Sequence, residues 1–253
     1  MSMRHALVKV LGWRATILQG DPTVVDRWKW LKKHLQTGPV RTLDAGCGTG
    51  AYTLFAAKQG NETVGVSFDP GQLERAQARA DILGVKGIEF HTGDLRKLDE
   101  MAPALGTFDQ IILFETIEHI LNDQKLVSDC ANLLRPGGRL LLTAPYKNHK
   151  ALWGEKLSEV EDGGHVRWGY THDELRAILE KAGLKLVAEE YVSGLVSQKI
   201  ASLQFGLGGK FSPHAAWGAT FPLRVFHPLD AALTKLTGYA HLSVGVVGQK
   251  PAA

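Results

Sequence analysis

Between residues 41 and 191 the chain changes its hydrophobic period repeatedly. Short β-branched or leucine-rich runs at 42–44, 63–66, 88–90, 110–114, 139–143 and 184–191 are separated by stretches of helical spacing. Strands that alternate with helices form a parallel sheet covered on both faces, so the pattern restricts the chain to an α/β architecture. The predicted helices are 49–59, 70–83, about 117–134 and 171–182. In the last of these, Thr171 and Glu174 form a capping box and Gly183 follows Leu175, Ile178 and Leu179 as a stop.

Two segments flank this block. Asp21-Pro22 opens a helix carrying Val25, Trp28, Leu31 and Leu35 at spacings of three and four, so residues 1–36 read as an N-terminal helical cap. After Ser193 the alternation stops, and residues 193–241 are rich in glycine and aromatics until a final strand at 242–248. A connection of that length inside a compact domain is usually functional, and a substrate cap with its own helices is expected. At 253 residues the whole reads as one domain with insertions.

Composition removes several classes. With 44% hydrophobic and 22% charged residues the chain is not disordered. Lys plus Arg at 29 against Asp plus Glu at 26 gives no nucleic-acid signal. Cys47 sits in a glycine-rich turn and Cys130 is the only other cysteine, so a disulfide framework is not expected and a reducing, cytoplasmic setting fits. The first twenty residues lack a continuous apolar run with a cleavage site, and no stretch reaches spanning length. Peripheral membrane contact stays open.

The sharpest local feature is Leu43-Asp44-Ala45-Gly46-Cys47-Gly48-Thr49-Gly50, a strand-to-helix turn. Glycines there let a ligand approach the backbone, permit positive φ and aim N–H groups at it, as a nucleotide-like cofactor requires. The spacing G-x-G-x-G differs from the dinucleotide fingerprint G-x-G-x-x-G, and no Lys-Ser/Thr follows as in a P-loop. Asp44 would repel a pyrophosphate and attract an ammonium or sulfonium group.

The segment LDAGCGTG resembles the first motif of class I S-adenosylmethionine-dependent methyltransferases, and later segments appear in that family's order. The likeness spans about residues 41–191. It implies a Rossmann-like, doubly wound, seven-stranded sheet with helices on both faces and the last strand antiparallel. It also implies that Asp44, Gly46, Gly48 and Gly50 bind S-adenosylmethionine, which leaves as S-adenosylhomocysteine. Either Ser67 or Asp69 would serve the ribose, with Phe68 packing on adenine and Asp94, beside Leu95, accepting from the exocyclic amine. Ser67 and Asp69 are equally suited to capping the helix at Pro70. Phe108 to Ile120 is similar to the strand and turn that place the methyl group, with Glu115 on the cofactor side.

Methyl transfer from a sulfonium is an in-line displacement, in which the protein aligns the acceptor and, for a hydroxyl, removes its proton. His165, in Gly163–Tyr170, and His119 are the candidate bases. Glu115, Glu118 and His119 stand at i, i+3 and i+4, and on a helix they would share one face. Relatives in quinone-pathway and RNA-terminal methylation resemble this Glu-x-x-Glu-His string and use it for a metal; hydrogen bonding within a loop is the competing reading, and no metal is expected. The aromatic, acid-poor 193–241 segment suits a small or lipid-like acceptor, with oxygen as the acceptor atom. The rivals are a nicotinamide-dependent oxidoreductase and a non-catalytic S-adenosylmethionine-binding protein.

Overall fold

The computed structural model describes residues 8–252, so the start of the expected N-terminal cap, residues 1–7, lies outside the described residues. A short α1 (Arg14–Leu18) leads into α2 (Pro22–His34). Asp21 caps α2 by accepting from the Thr23 N–H, and Pro22 fills the first turn. The alternating block follows as β1 (Arg41–Ala45), α3 (Ala51–Lys58), β2 (Glu62–Ser67), α4 (Pro70–Leu83) and β3 (Ile88–Thr92). It continues through α5 (Leu98–Leu105), β4 (Phe108–Phe114), α6 (Asp123–Leu133), β5 (Leu134–Pro145), α7 (His172–Lys181) and β6 (Lys185–Val192). Residues 193–241 carry α8 (Leu195–Lys210), α9 (Pro213–Thr220), a 3-10 helix at Phe221–Leu229 and α10 (Asp230–Thr237), and β7 (Ser243–Gln249) closes the chain.

The strands form one seven-stranded sheet in the order β3-β2-β1-β4-β5-β7-β6, with β7 antiparallel to both neighbours and every other pairing parallel. Central strands covered on both faces need continuous apolar runs, and Leu43 pairs with Val64 on one side and Ile111 on the other, all three buried. The chain lays β2 and β3 to one side of β1, then returns to place β4 on the other. Connections leaving β1 and β4 diverge, which opens a crevice at their carboxyl ends.

Three elements differ from the sequence expectation. Helix α6 starts at Asp123 instead of 117, because Glu115 adopts φ +46° and a 3-10 turn occupies Ile117–His119. Asn122 then caps α6 by accepting from the Lys125 N–H. Glu115, Glu118 and His119 therefore do not share a helical face. Strand β5 begins at Leu134, since Leu134 pairs with Phe108 and Arg139 with Gln110 while Pro136-Gly137-Gly138 bulges out. A Cβ on Gly138 would lie 2.8 Å from the Arg135 carbonyl oxygen. Helix α5, which contains Pro103, has no counterpart in the expectation.

At the opposite end of the sheet, buried amides lock the α2–β1 connection in place. Gln110 accepts from the Gln36 N–H (2.9 Å) and donates to the Gln36 carbonyl (3.0 Å), Thr42 Oγ1 (2.9 Å) and Asn61 Oδ1 (3.0 Å). Asn61 in turn donates to the carbonyls of Gln36 and Gly38. Replacing Gln110 by leucine leaves the Gln36 N–H without its side-chain acceptor and takes one donor each from the Gln36 carbonyl, Thr42 and Asn61. We expect Gln110→Leu to lose about 2–3 kcal/mol in urea unfolding with an unchanged m-value; a loss below about 0.5 kcal/mol would show that water replaces the network.

Candidate active site and cofactor cleft

The crevice between β1 and β4 opens into two adjoining cavities, of about 380 and 410 Å³, that share Gly46 and Glu115 in their walls. The first is lined by Asp44, Cys47, Arg27 and Tyr52, the second by Gly48, Ser67, Phe68, Asp94, Leu95, Thr116 and His119. Apart from Arg27, which comes from α2, these far-separated positions meet here because each lies at, or beyond, the carboxyl end of a parallel strand.

The glycine turn works by clearance. Gly46 has φ +89°, and a Cβ there would meet Thr116 Oγ1 at 2.5 Å. The N–H groups of Gly46 and Cys47 both donate to the Val66 carbonyl (2.9 Å each), so those two donors are not aimed at a ligand as the motif suggests. Gly50 lies outside both cavity walls and gives room to α4, with a Cβ there falling 2.9 Å from Ala76. Asp69 is likewise occupied: its carboxylate caps α4 by accepting from Gly71 N–H (2.8 Å) and Gln72 N–H (3.3 Å). Ser67, buried at the end of β2, is the member of that pair on the cavity wall, and Phe68 stands exposed at its rim. Asp94 is held ionised, its carboxyl below the usual range, by hydrogen bonds from the Arg96 guanidinium at 2.6–2.9 Å.

Asp44 is buried and accepts from Thr53 Oγ1 at 2.6 Å. Burial lifts its carboxyl to about 6 against the opposing Thr53 hydrogen bonds. Arg27 of α2, absent from the sequence candidates, reaches Glu115 Oε2 at 3.3 Å and donates to the Tyr52 hydroxyl at 3.4 Å. Burial works against its charge, and Glu115 and Tyr52 more than restore it. Ser243 Oγ donates to the same Glu115 oxygen (3.2 Å), so Glu115 is held in the wall that the two cavities share.

A second group of titratable side chains gathers beside the cleft. Glu118 is fully buried and neither carboxylate oxygen has a hydrogen-bond partner among the described residues. Its Oε1 lies 3.8 Å from His119 Nε2 and 4.0 Å from His165 Nε2. His119 Nδ1 donates to the Gly164 carbonyl (3.0 Å), which leaves Nε2 as the lone-pair nitrogen facing Glu118. Burial and the neighbouring His119 hold His165 below the usual histidine range, while burial and Glu115 push Glu118 well above the usual carboxylate range. Behind His165, Glu155 lies 3.6 Å from its Nδ1 and bonds His149 at 3.0 Å; neither Glu155 nor His149 stood out in the sequence. The donor atoms of Glu118, His119 and His165 lie within 4.8 Å of one another. Of the candidate string Glu115, Glu118 and His119, the last two thus gather with His165, while Glu115 is engaged by Arg27 and Ser243.

Comparison with known proteins identifies the family. The model of a methyltransferase-domain family matches residues 25–189, more than half the chain. The chain is 27% identical over 177 residues to a ubiquinone biosynthesis O-methyltransferase of Xanthomonas euvesicatoria pv. vesicatoria, covering 67% of this chain and 72% of that one. Among solved structures, the cyclase SpnF superposes with TM-score 0.62 at 21% identity, covering 91% of this chain and 83% of that one. The N-methyltransferase NodS from Bradyrhizobium japonicum, solved with S-adenosylhomocysteine, gives TM-score 0.58 at 17% identity, covering 92% and 90%. The chain belongs to the methyltransferase-domain family, as a class I enzyme dependent on S-adenosylmethionine. That membership removes the oxidoreductase alternative. No helix among the described residues is long and apolar enough to cross a membrane.

Two outcomes follow. Gly46→Val forces a side chain into Thr116 at the cleft mouth, so titration calorimetry should show S-adenosylhomocysteine binding lost in a protein that still melts cooperatively; unchanged affinity would contradict the placement. Asp44 takes up a proton on folding between pH 4 and 6, so its contribution to the ligand-free protein's stability is complete below about 4 and disappears as pH rises through about 6. A cation beside it favours the ionised form. Affinity for S-adenosylhomocysteine should therefore rise about tenfold per pH unit up to pH 6 and then level off, and Asp44→Asn should flatten the profile.

Proposed function

We propose that the protein transfers the sulfonium methyl group of S-adenosylmethionine to an oxygen of a small, lipid-like acceptor by in-line displacement. The observation that carries this reading is the Glu118–His119–His165 cluster, a buried carboxyl with two half-buried histidines, with His119 in the wall of the same cavity as Ser67, Phe68, Asp94 and Leu95. An oxygen acceptor carries a proton that must leave, and a histidine beside the cavity is suited to take it. The acceptor oxygen attacks the methyl carbon, the carbon–sulfur bond breaks with its electron pair on sulfur, and the hydroxyl proton passes to His165 or His119. Relatives named as O-methyltransferases support the oxygen assignment.

On the cofactor side, Asp44 and Arg27 with Glu115 would hold the charged amino acid moiety, and Ser67, Phe68, Asp94 and Leu95 the adenosine. We assign residues 193–241 and α2 the role of a cap. Trp217 Nε1 and Arg224 both donate to the Leu18 carbonyl (3.0 Å each), next to Gln19 and Gly20 in the cavity wall. The histidines and Glu118 also fit a divalent cation, which would polarise the acceptor hydroxyl when bound.

The test is a methylation assay over catechols, phenols, prenylated quinols and primary amines. We expect turnover of hydroxyl acceptors, and a fall in kcat of about 100-fold or more for His165→Gln and His119→Gln with S-adenosylhomocysteine affinity preserved. Loss of turnover on chelation would assign the cluster to a cation, and persistence would assign it to direct proton transfer. Amine-only turnover, or full activity in both histidine variants, would overturn the reading.

A further inference from the structure

The 3-10 helix Phe221–Leu229 is turned inside out. Its polar side chains face the protein: Arg224 donates to the carbonyls of Leu18 and Gly20, and His227 is 2.6 Å from Asp26 Oδ1. Its apolar side chains face outward. Phe221, Val225, Phe226 and Leu229 are exposed, Val225 at 72%, and none of the nine residues is buried. The ridge runs on into α10, where Leu236 is 81% exposed. A helix that serves only to fold a water-soluble domain buries its apolar face and shows water its polar one. Here the arrangement is reversed over more than three turns, and the arrangement needs a partner outside the chain.

Charge identifies the partner. Residues 193–241 contain four Lys and Arg and a single acidic residue, Asp230, while the rest of the chain has 25 of each sign. The whole net charge of +3 therefore resides in this segment. Lys199, Lys210 and Lys235 are exposed, whereas the Asp230 carboxylate is turned inward to accept from the N–H groups of Gly194, Val196 and Ser197. An apolar, aromatic ridge within the segment that carries the net positive charge matches an interfacial element that sinks its apolar face between lipids while cations of the same segment meet anionic headgroups. A symmetric pairing of two copies through this ridge would bring the same lysines against each other.

We propose that the outward face of residues 221–236 docks this protein on an anionic lipid surface. The inference rests on the surface alone, independently of the acceptor atom assigned above. If both hold, a lipid-like acceptor reaches the cleft from the bilayer, because the same 3-10 helix is anchored through Arg224 to Gly20 in the cavity wall.

The test is flotation of the full chain with phosphatidylcholine vesicles, with and without about one third phosphatidylglycerol. We expect binding to the anionic vesicles, weakened at about 0.5 M salt. The double variant Val225→Asp with Phe226→Asp should lose at least about tenfold in binding, while Val187→Asp, at an exposed apolar site on β6, should bind as the parent does. Both variants should keep the parent's melting temperature and its affinity for S-adenosylhomocysteine, and methyl transfer is read on the parent with a water-soluble phenol, so a failure of methyl transfer registers separately from a failure to dock. Equal binding by the double variant and the parent, no binding to either vesicle, or a concentration-dependent dimer that only the double variant abolishes would overturn the proposal.

Discussion

The carboxyl ends of β1 and β4 must part far enough to admit a nucleoside, and the rest of the molecule is arranged around that gap. On the β1 side Gly46 at φ +89° keeps its Cα within reach of the Thr116 hydroxyl. On the β4 side Glu115 takes φ +46°, a conformation that costs a non-glycine residue of order 1 kcal/mol. Its N–H bonds to the Thr143 carbonyl (2.9 Å), while its carboxylate faces Arg27 and Ser243. The strain is held by three different elements, and it turns the chain away from β4 so that α6 starts further on. The bend that breaks the expected helix is the same bend that makes the cleft.

The cleft also concentrates buried charge. Asp44, Arg27, Glu115 and Glu118 lie close behind or within its walls, and burying ionised groups is unfavourable unless each finds a partner. Arg27 and Glu115 partner each other. Asp44 has Thr53 for company, through its hydroxyl and its N–H, and Glu118 has no hydrogen-bond partner among the described residues. Folding alone gives no reason to keep carboxylates in those two places. Under the proposed function, a cationic cofactor would answer for the first, and a proton or cation between the histidines and Glu118 for the second.

Much of the fold was legible because it rests on period and capping, which are local. Asp21-Pro22, Asp69-Pro70 and Thr171 with Glu174 each cap the helix they announce, and 70–83 is the observed extent of α4. What stayed hidden was set by tertiary geometry. The run 117–134 has helical spacing, but nothing in it declares that Glu115 will be left-handed. Ser67 and Asp69 are chemically alike in sequence, and only the cap formed by Asp69 separates them. Arg27 did leave a trace: it lies three residues after Val24 and four before Leu31, a charge on the buried face of an amphipathic helix. His149 and Glu155 left none, since the irregular stretch after β5 has no period to interpret.

The central claim is that the β1–β4 crevice seats the cofactor along both cavities, with its charged end at Asp44 and Arg27 and its adenine between Phe68 and Leu95. A crystal structure of the complex with S-adenosylhomocysteine measures this directly. The account predicts the amino group within hydrogen-bonding distance of Asp44 or the backbone beside it, the adenine amine near Asp94, and the sulfur facing Glu118, His119 and His165. A nucleoside bound elsewhere, or one running through the crevice in the opposite direction, would contradict it.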